Sequence, residues 1–136
     1  MTTIPAVRAT HVIPCLRYAD ATAAIAWLVE VLGAEARQVH HGDDGTVAHA
    51  ELWFGDGCVM LGSMKRDPLP PTRPGQSAVY VVAGSAAAVD ALHARAVAAG
   101  ASIAISLRDT DYGSHDFGCL DPEGNFWGFG TYAPAA

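Results

Sequence analysis

The sequence predicts an α+β domain made of two βαβββ repeats, whose strands form a concave mixed sheet with the helices on its outer face. Three observations carry that prediction. Two segments of helical periodicity each end on a glycine, Gly33 and Gly100, 67 residues apart. The turn residues Asp56-Gly57 and Glu123-Gly124 repeat at the same offset. Each helical segment is preceded by one apolar run and followed by three, with Gly- and Asp-rich turns between them.

In the first repeat, about 11–62, Val12 to Tyr18 reads as a strand and Asp20 as the N-cap of a helix over Ala21 to Leu32. Its apolar stripe is Ala24, Trp27, Leu28, Val31 and Leu32. Strands follow at Glu35 to His41, Thr46 to Phe54 and Cys58 to Gly62, with turns at Asp43-Asp44-Gly45 and Gly55-Asp56-Gly57. A proline-rich connector, 63–76, leads to the second repeat, about 77–132. There Ser77 to Ala83 is a strand and Ser85 caps a helix running through Ala99. The remaining strands are Ala101 to Leu107, His115 to Leu120 and Asn125 to Tyr132. All 136 residues are expected to form a single domain, because one chain of this length supports one core.

Composition narrows the function. Apolar residues make up 51% and charged residues 16%, which disfavours disorder. A formal charge of −6, a pI near 5.3 and only eight scattered Lys and Arg argue against nucleic acid as a partner. No apolar run approaches membrane-spanning length, and the N-terminus lacks the order of a signal peptide, so no membrane partner is expected. Cys15, Cys58 and Cys119 form no Cys-x-x-Cys pair and read as small buried hydrophobes of a cytoplasmic protein.

Strand alternation assigns faces. Ala48, Ala50, Leu52 and Phe54 suit the helix side, and His49, Glu51 and Trp53 face the trough. Phe126 and Gly130 face the trough with Gly128, while Trp127 and Phe129 pack under a helix. Tyr80 shares a face with Ala78, and His11 and Cys15 share one with Ile13. His49 with Glu51 is either a solvated polar pair, a ligand-orienting pair or an acid–base pair, or with His11 the start of an unorthodox metal site. Trp53, Phe126 and Tyr80 suit stacking on a planar aromatic ligand, or burial against a dimer partner. The five ligand-binding residues expected are therefore His49, Glu51, Trp53, Tyr80 and Phe126. His40 and His41 point to opposite faces, His93 is structural, and His115 and Asp116 stand at the rim of the trough.

The segments Val12-Ile13-Pro14-Cys15-Leu16-Arg17-Tyr18-Ala19-Asp20, Gly33-Ala34 and Gly45 to Leu52, with Asp121-Pro122-Glu123-Gly124-Asn125-Phe126-Trp127 and Phe129 to Tyr132, resemble the vicinal oxygen chelate superfamily. That group includes glyoxalase I, extradiol dioxygenases and bleomycin-resistance proteins. The resemblance implies a homodimer with a small organic molecule in its trough. Metal-using members draw ligands from the first and fourth strand of each half. The matching positions here are Ile13, Leu61, Ala78 and Gly128, or in a shifted register Val12, Gly62, Ser77 and Trp127 or Phe129. None of these is a ligand of the expected kind. The expectation is thus a ligand- or drug-sequestering protein with no metal and no cofactor. The alternative is a lyase, isomerase or dioxygenase using unconventional metal ligands or His49/Glu51 chemistry.

Overall fold

A computed structural model of the chain describes residue 6, residues 11–64 and residues 75–134. Its elements follow the expected order. The first half comprises β1 (Cys15–Tyr18), α1 (Ala21–Glu30), β2 (Glu35–His41), β3 (Val47–Phe54) and β4 (Gly57–Ser63). The second comprises β5 (Ala78–Val82), α2 (Ala86–Ala98), β6 (Ser102–Asp109), β7 (His115–Leu120) and β8 (Phe126–Gly130). Each half is a four-stranded sheet with the same strand order, β1-β4-β3-β2 and β5-β8-β7-β6. The first strand of each half lies parallel to the fourth, and the other pairs are antiparallel. Most of the connector, residues 65–74, lies outside the described residues, as do residues 1–5 and 7–10 at the N-terminus.

Local chemistry sets the helix ends. The Asp20 carboxylate accepts the Ala23 N–H at 3.0 Å, and the Ser85 hydroxyl accepts the Ala88 N–H at 3.1 Å. Gly33 closes α1 at a φ of 77°, a left-handed conformation that costs glycine nothing. Arg95 on α2 donates to the Glu30 and Val29 carbonyls, capping α1 from the other repeat.

Burial identifies the helix side of each sheet. Leu16, Tyr18, Ala50, Leu52, Val59 and Leu61 are buried in the first half, and Phe117, Cys119, Trp127 and Phe129 in the second. One cluster of buried side chains runs through both halves. Phe54 joins them, its ring 5.5 Å from Trp127 and 6.4 Å from Phe129. Fully burying rings such as Trp127 and Phe117 contributes roughly 1.5–3 kcal/mol each.

The structure corrects several expected positions. β1 begins at Cys15 rather than Val12, although the Pro14 carbonyl still accepts the Met60 N–H. Ala48 is exposed and Val47 is buried in its place. The β2–β3 register slips between His40↔His49 and His41↔Val47, and a bulge of this kind inverts alternation locally. Leu61 is 3% exposed and faces the helices, not the trough. The pairs Leu52↔Val59 and Cys119↔Trp127 show why: Val59 matches Trp127, 68 residues on, so the 67-residue offset fails by one after the longer second turn. Cys15 is exposed and Cys58 half-buried; only Cys119 is a buried hydrophobe.

Candidate functional site

The faces turned away from the helices carry the polar and aromatic side chains that the core does not use. On the first sheet His49, Glu51 and Trp53 stand in a row along β3. Across from them are Arg37 on β2 and Cys58 on β4, and Met60, Cys15 and Arg17 continue the face toward β1. Trp53 donates its indole N–H to Glu51 Oε1 at 2.9 Å, and the Arg37 guanidinium sits 4.7 Å above the indole ring. Arg37 is also held by a bidentate pair with Glu35 at 3.0 Å, which keeps the Glu35 carboxyl below the usual range. His49 Nε2 lies 4.0 Å from Glu51 Oε2, and the His49 ring stacks on His40 at 6.4 Å. The Cys58 thiol beside this group is pushed up, first by burial and then by the Glu51 charge.

On the second sheet Tyr80 and Phe126 share the helix-free face with Gly118, Gly128 and Gly130. Tyr80 is 45% exposed and donates its hydroxyl to the Tyr132 carbonyl at 3.0 Å. Tyr132 packs edge-on against Tyr112 at 5.9 Å. Asp116 accepts from Arg108 at 2.9 Å on the same face. The five expected residues therefore form two groups, His49/Glu51/Trp53 and Tyr80/Phe126, each internally in contact or sharing neighbours. A cavity of about 550 Å³ runs between the β3–β4 turn, residues 54–59, and β5, with Val12 and Pro14 at its edge. Tyr80 and Val82 line it. A smaller one of about 160 Å³ lies over Cys15, Arg17, His49 and Met60.

His115 and Asp116 do not act together at a rim. His115 faces α2, its Nδ1 2.7 Å from Asp109 and its Nε2 2.6 Å from Asp90. These two carboxylates raise its pKa, Asp90 first, so the ring serves as a charged tie between α2 and β6. His93 packs edge-on against Phe117 at 5.1 Å, as a structural residue does.

The Asp121-Pro122-Glu123-Gly124-Asn125 turn binds the halves together rather than a ligand. Asp121 Oδ2 accepts from the Tyr18 hydroxyl at 2.6 Å, Asn125 Nδ2 at 3.0 Å and Trp127 Nε1 at 3.1 Å. Its Oδ1 accepts the N–H groups of Glu123 and Asn125, both at 3.0 Å. The Glu123 carboxylate takes the N–H groups of Ala19 and Asp20, just before α1. Burial and the Asp121 charge push the Tyr18 hydroxyl far above its ordinary pKa.

The resemblance noted in the sequence implies metal ligands on the first and fourth strand of each half, here β1, β4, β5 and β8, whose helix-free faces border the trough. Here those faces present Cys15, Arg17, Cys58, Met60, Gly62, Ala78, Tyr80, Val82, Phe126, Gly128 and Gly130. Neither an imidazole nor a carboxylate is in this set. Among the described residues no three His, Cys, Asp or Glu side chains gather as a metal site. The donor set does not fit a catalytic ion.

Sequence reasoning passed over Arg17, Arg37, Met60 and Arg108, all of which build these faces. Alternation from Cys15 marks Arg17, whereas the partnership of Arg37 with Trp53 depends on a strand pairing that no single segment encodes. No described helix is long and apolar enough to cross a membrane.

Comparison with known proteins agrees with this geometry. Among solved structures, TioX from Micromonospora sp. ML1 is 30% identical, with 92% of this chain and 100% of that one covered and a TM-score of 0.75. TnmS3, an antibiotic binding protein from Streptomyces sp. CB03234, is 21% identical over 91% of this chain and 97% of that one, with a TM-score of 0.70. A lactoylglutathione lyase from Agrobacterium tumefaciens is 21% identical over 90% and 94%, with a TM-score of 0.69. The last two similarities establish the fold alone. Comparison with curated proteins gave no match. The model of the Glyoxalase/Bleomycin resistance protein/Dioxygenase superfamily matches residues 8–129, and the chain belongs to that superfamily.

Proposed function

We propose that the protein binds a small organic molecule on its helix-free faces and sequesters it, as a cytoplasmic homodimer whose partner closes the trough, without a catalytic metal. The observation that carries this reading is the aromatic and polar set His49, Glu51, Trp53, Tyr80 and Phe126. These side chains stand outside the core; Tyr80 lines the cavity of about 550 Å³, a volume suited to a drug-sized ligand, and His49 lines the smaller one of about 160 Å³. Sequestration needs affinity and no stabilised transition state, so a site lacking metal donors serves it. The similarity to TnmS3, described as antibiotic binding, supports the same class of ligand.

Acid–base catalysis by His49 and Glu51 is the second reading, favoured by their shared strand face. It is the weaker one. Their 4.0 Å separation exceeds a hydrogen bond, and Trp53 already occupies one Glu51 oxygen. A thermal-shift screen of small organic compounds tests the proposal, because a ligand of the folded state raises the melting temperature by mass action. Several degrees of stabilisation, with the compound recovered unchanged, is the expected result. Turnover of the bound compound, lost in His49→Ala, would establish the catalytic reading instead.

A further inference from the structure

The geometry points to a more specific ligand class: a fused, planar polycyclic aromatic molecule lying on a two-ring shelf formed by Phe126 and Tyr80, with Gly118 and Gly128 as its specificity determinants. This inference rests on the small-molecule-binding reading above and narrows it.

Phe126 and Tyr80 do not stand upright from the sheet. A Cβ on Gly118 would come within 2.4 Å of both Cε2 and Cζ of Phe126, so the ring occupies the space a side chain there would fill. The same ring lies over Gly128, with Cε1 at 3.1 Å from the corresponding Cβ position, and the Tyr80 ring approaches that position at 3.4 Å. The Tyr80 hydroxyl covers Gly130 and is fixed by the Tyr132 carbonyl. The two rings thus meet over Gly128 and rest on bare backbone. Gly118 and Gly128 have no left-handed φ, so the backbone does not require glycine there; the room for the rings does.

Phe126 is half-buried and Tyr80 is 45% exposed, so both rings keep surface open on the helix-free side. Two such rings side by side make a surface wider than one aromatic ring, running toward the cavity that Tyr80 also lines. Offset stacking rewards area shared between flat faces, so a fused system covering both rings gains contact that a single ring cannot. Here β7 and β8 carry glycines where other side chains would stand between the rings and the backbone.

Acridine orange, a fused tricyclic dye, is a suitable probe, titrated by fluorescence anisotropy at 0.15 M salt to screen its attraction to a chain of formal charge −6. Aniline serves as the one-ring competitor. The variants are Gly118→Ala, which lifts the Phe126 ring by displacing only its tip, and Phe126→Leu, which keeps apolar volume without a flat face. Trp53→Ala probes the other sheet. The expected result is saturable binding at least tenfold tighter than aniline, and at least tenfold weaker in both shelf variants at near-wild-type melting temperatures. Equal binding by wild type and both shelf variants overturns the shelf; if Trp53→Ala then loses binding, the small-molecule reading survives on the first sheet. No binding of the dye to wild type overturns the ligand class, while the broader thermal-shift screen decides the reading independently. A shelf variant that splits a dimer in sedimentation, with no dye bound by wild type, overturns the inference by making the shelf a subunit contact.

Discussion

Replacing Asp121 by Ala should remove a large share of the protein's stability while leaving the side chains of the helix-free faces in place. The Asp121 carboxylate accepts five hydrogen bonds, and three of the donors, the Tyr18 hydroxyl, the Trp127 indole N–H and the Asn125 amide, belong to fully buried side chains. Leaving a buried donor without an acceptor costs about 1–3 kcal/mol. Three such donors give a loss of roughly 5 kcal/mol, against a total of roughly 5–15 kcal/mol for a typical domain. Asp121→Asn retains an acceptor for the Glu123 and Asn125 N–H groups but turns an NH₂ toward the Tyr18, Asn125 side-chain and Trp127 donors. Tyr18 can rotate to accept; Trp127 cannot, so the cost falls to about half. Tyr18→Phe removes a donor and should cost about 1–2 kcal/mol. Urea unfolding followed by circular dichroism measures each value, and the Tyr18→Phe/Asp121→Ala cycle isolates the pair's coupling. A loss below about 1 kcal/mol for Asp121→Ala, with an unchanged m-value, would refute the assignment of this turn as the tie between repeats.

Three further outcomes follow from the geometry. His115 has its pKa raised above 6.5 by Asp90 and Asp109, so its contribution is complete below pH 6.5 and is lost as pH rises through the raised value. Melting temperature should fall across that window in the wild type and stay flat in His115→Gln. Arg95→Ala removes the donors to the Glu30 and Val29 carbonyls and should cost about 1 kcal/mol in urea unfolding, with hydrogen exchange rising first at the end of α1. A thiol reagent should modify exposed Cys15 first and Cys58 more slowly. It should reach Cys119, buried with a pKa pushed up to about 11, only on unfolding.

What was legible in the sequence is what local chemistry writes directly. Asp20 and Ser85 mark helix starts because their oxygens meet orphan N–H groups, and Gly33 and Gly100 mark ends because both adopt positive φ. The row His49, Glu51 and Trp53 follows from alternation alone. Alternation failed where the ladder is irregular. The bulge that buries Val47 instead of Ala48 depends on how β3 meets β2, and the turn that shifts the β4–β8 offset to 68 depends on a residue count outside either strand. Leu61 was misplaced for that reason. The recumbent rings of Phe126 and Tyr80 were also hidden, since a glycine in a strand announces missing bulk but not which side chain fills it.

The duplication itself explains why one repeat's turn became a clamp and the other's did not. Glu123 and Asp56 occupy matching places, yet Glu123 binds two N–H groups at the entry to α1 whereas Asp56 lines the cavity beside β5. A carboxylate needs donors to justify its burial, and only the second turn has Tyr18, Asn125 and Trp127 converging on the neighbouring Asp121. The first turn, Gly55-Asp56-Gly57, carries no such network and is free to shape the mouth of the cavity. Exchanging Asp56 for Asn should therefore leave stability within about 0.5 kcal/mol, as surface substitutions away from packed networks do. Ligand affinity, read from the same thermal-shift titration, should respond to Asp56→Asn and not to Glu123→Gln, whose cost is paid at the α1 entry as lost stability.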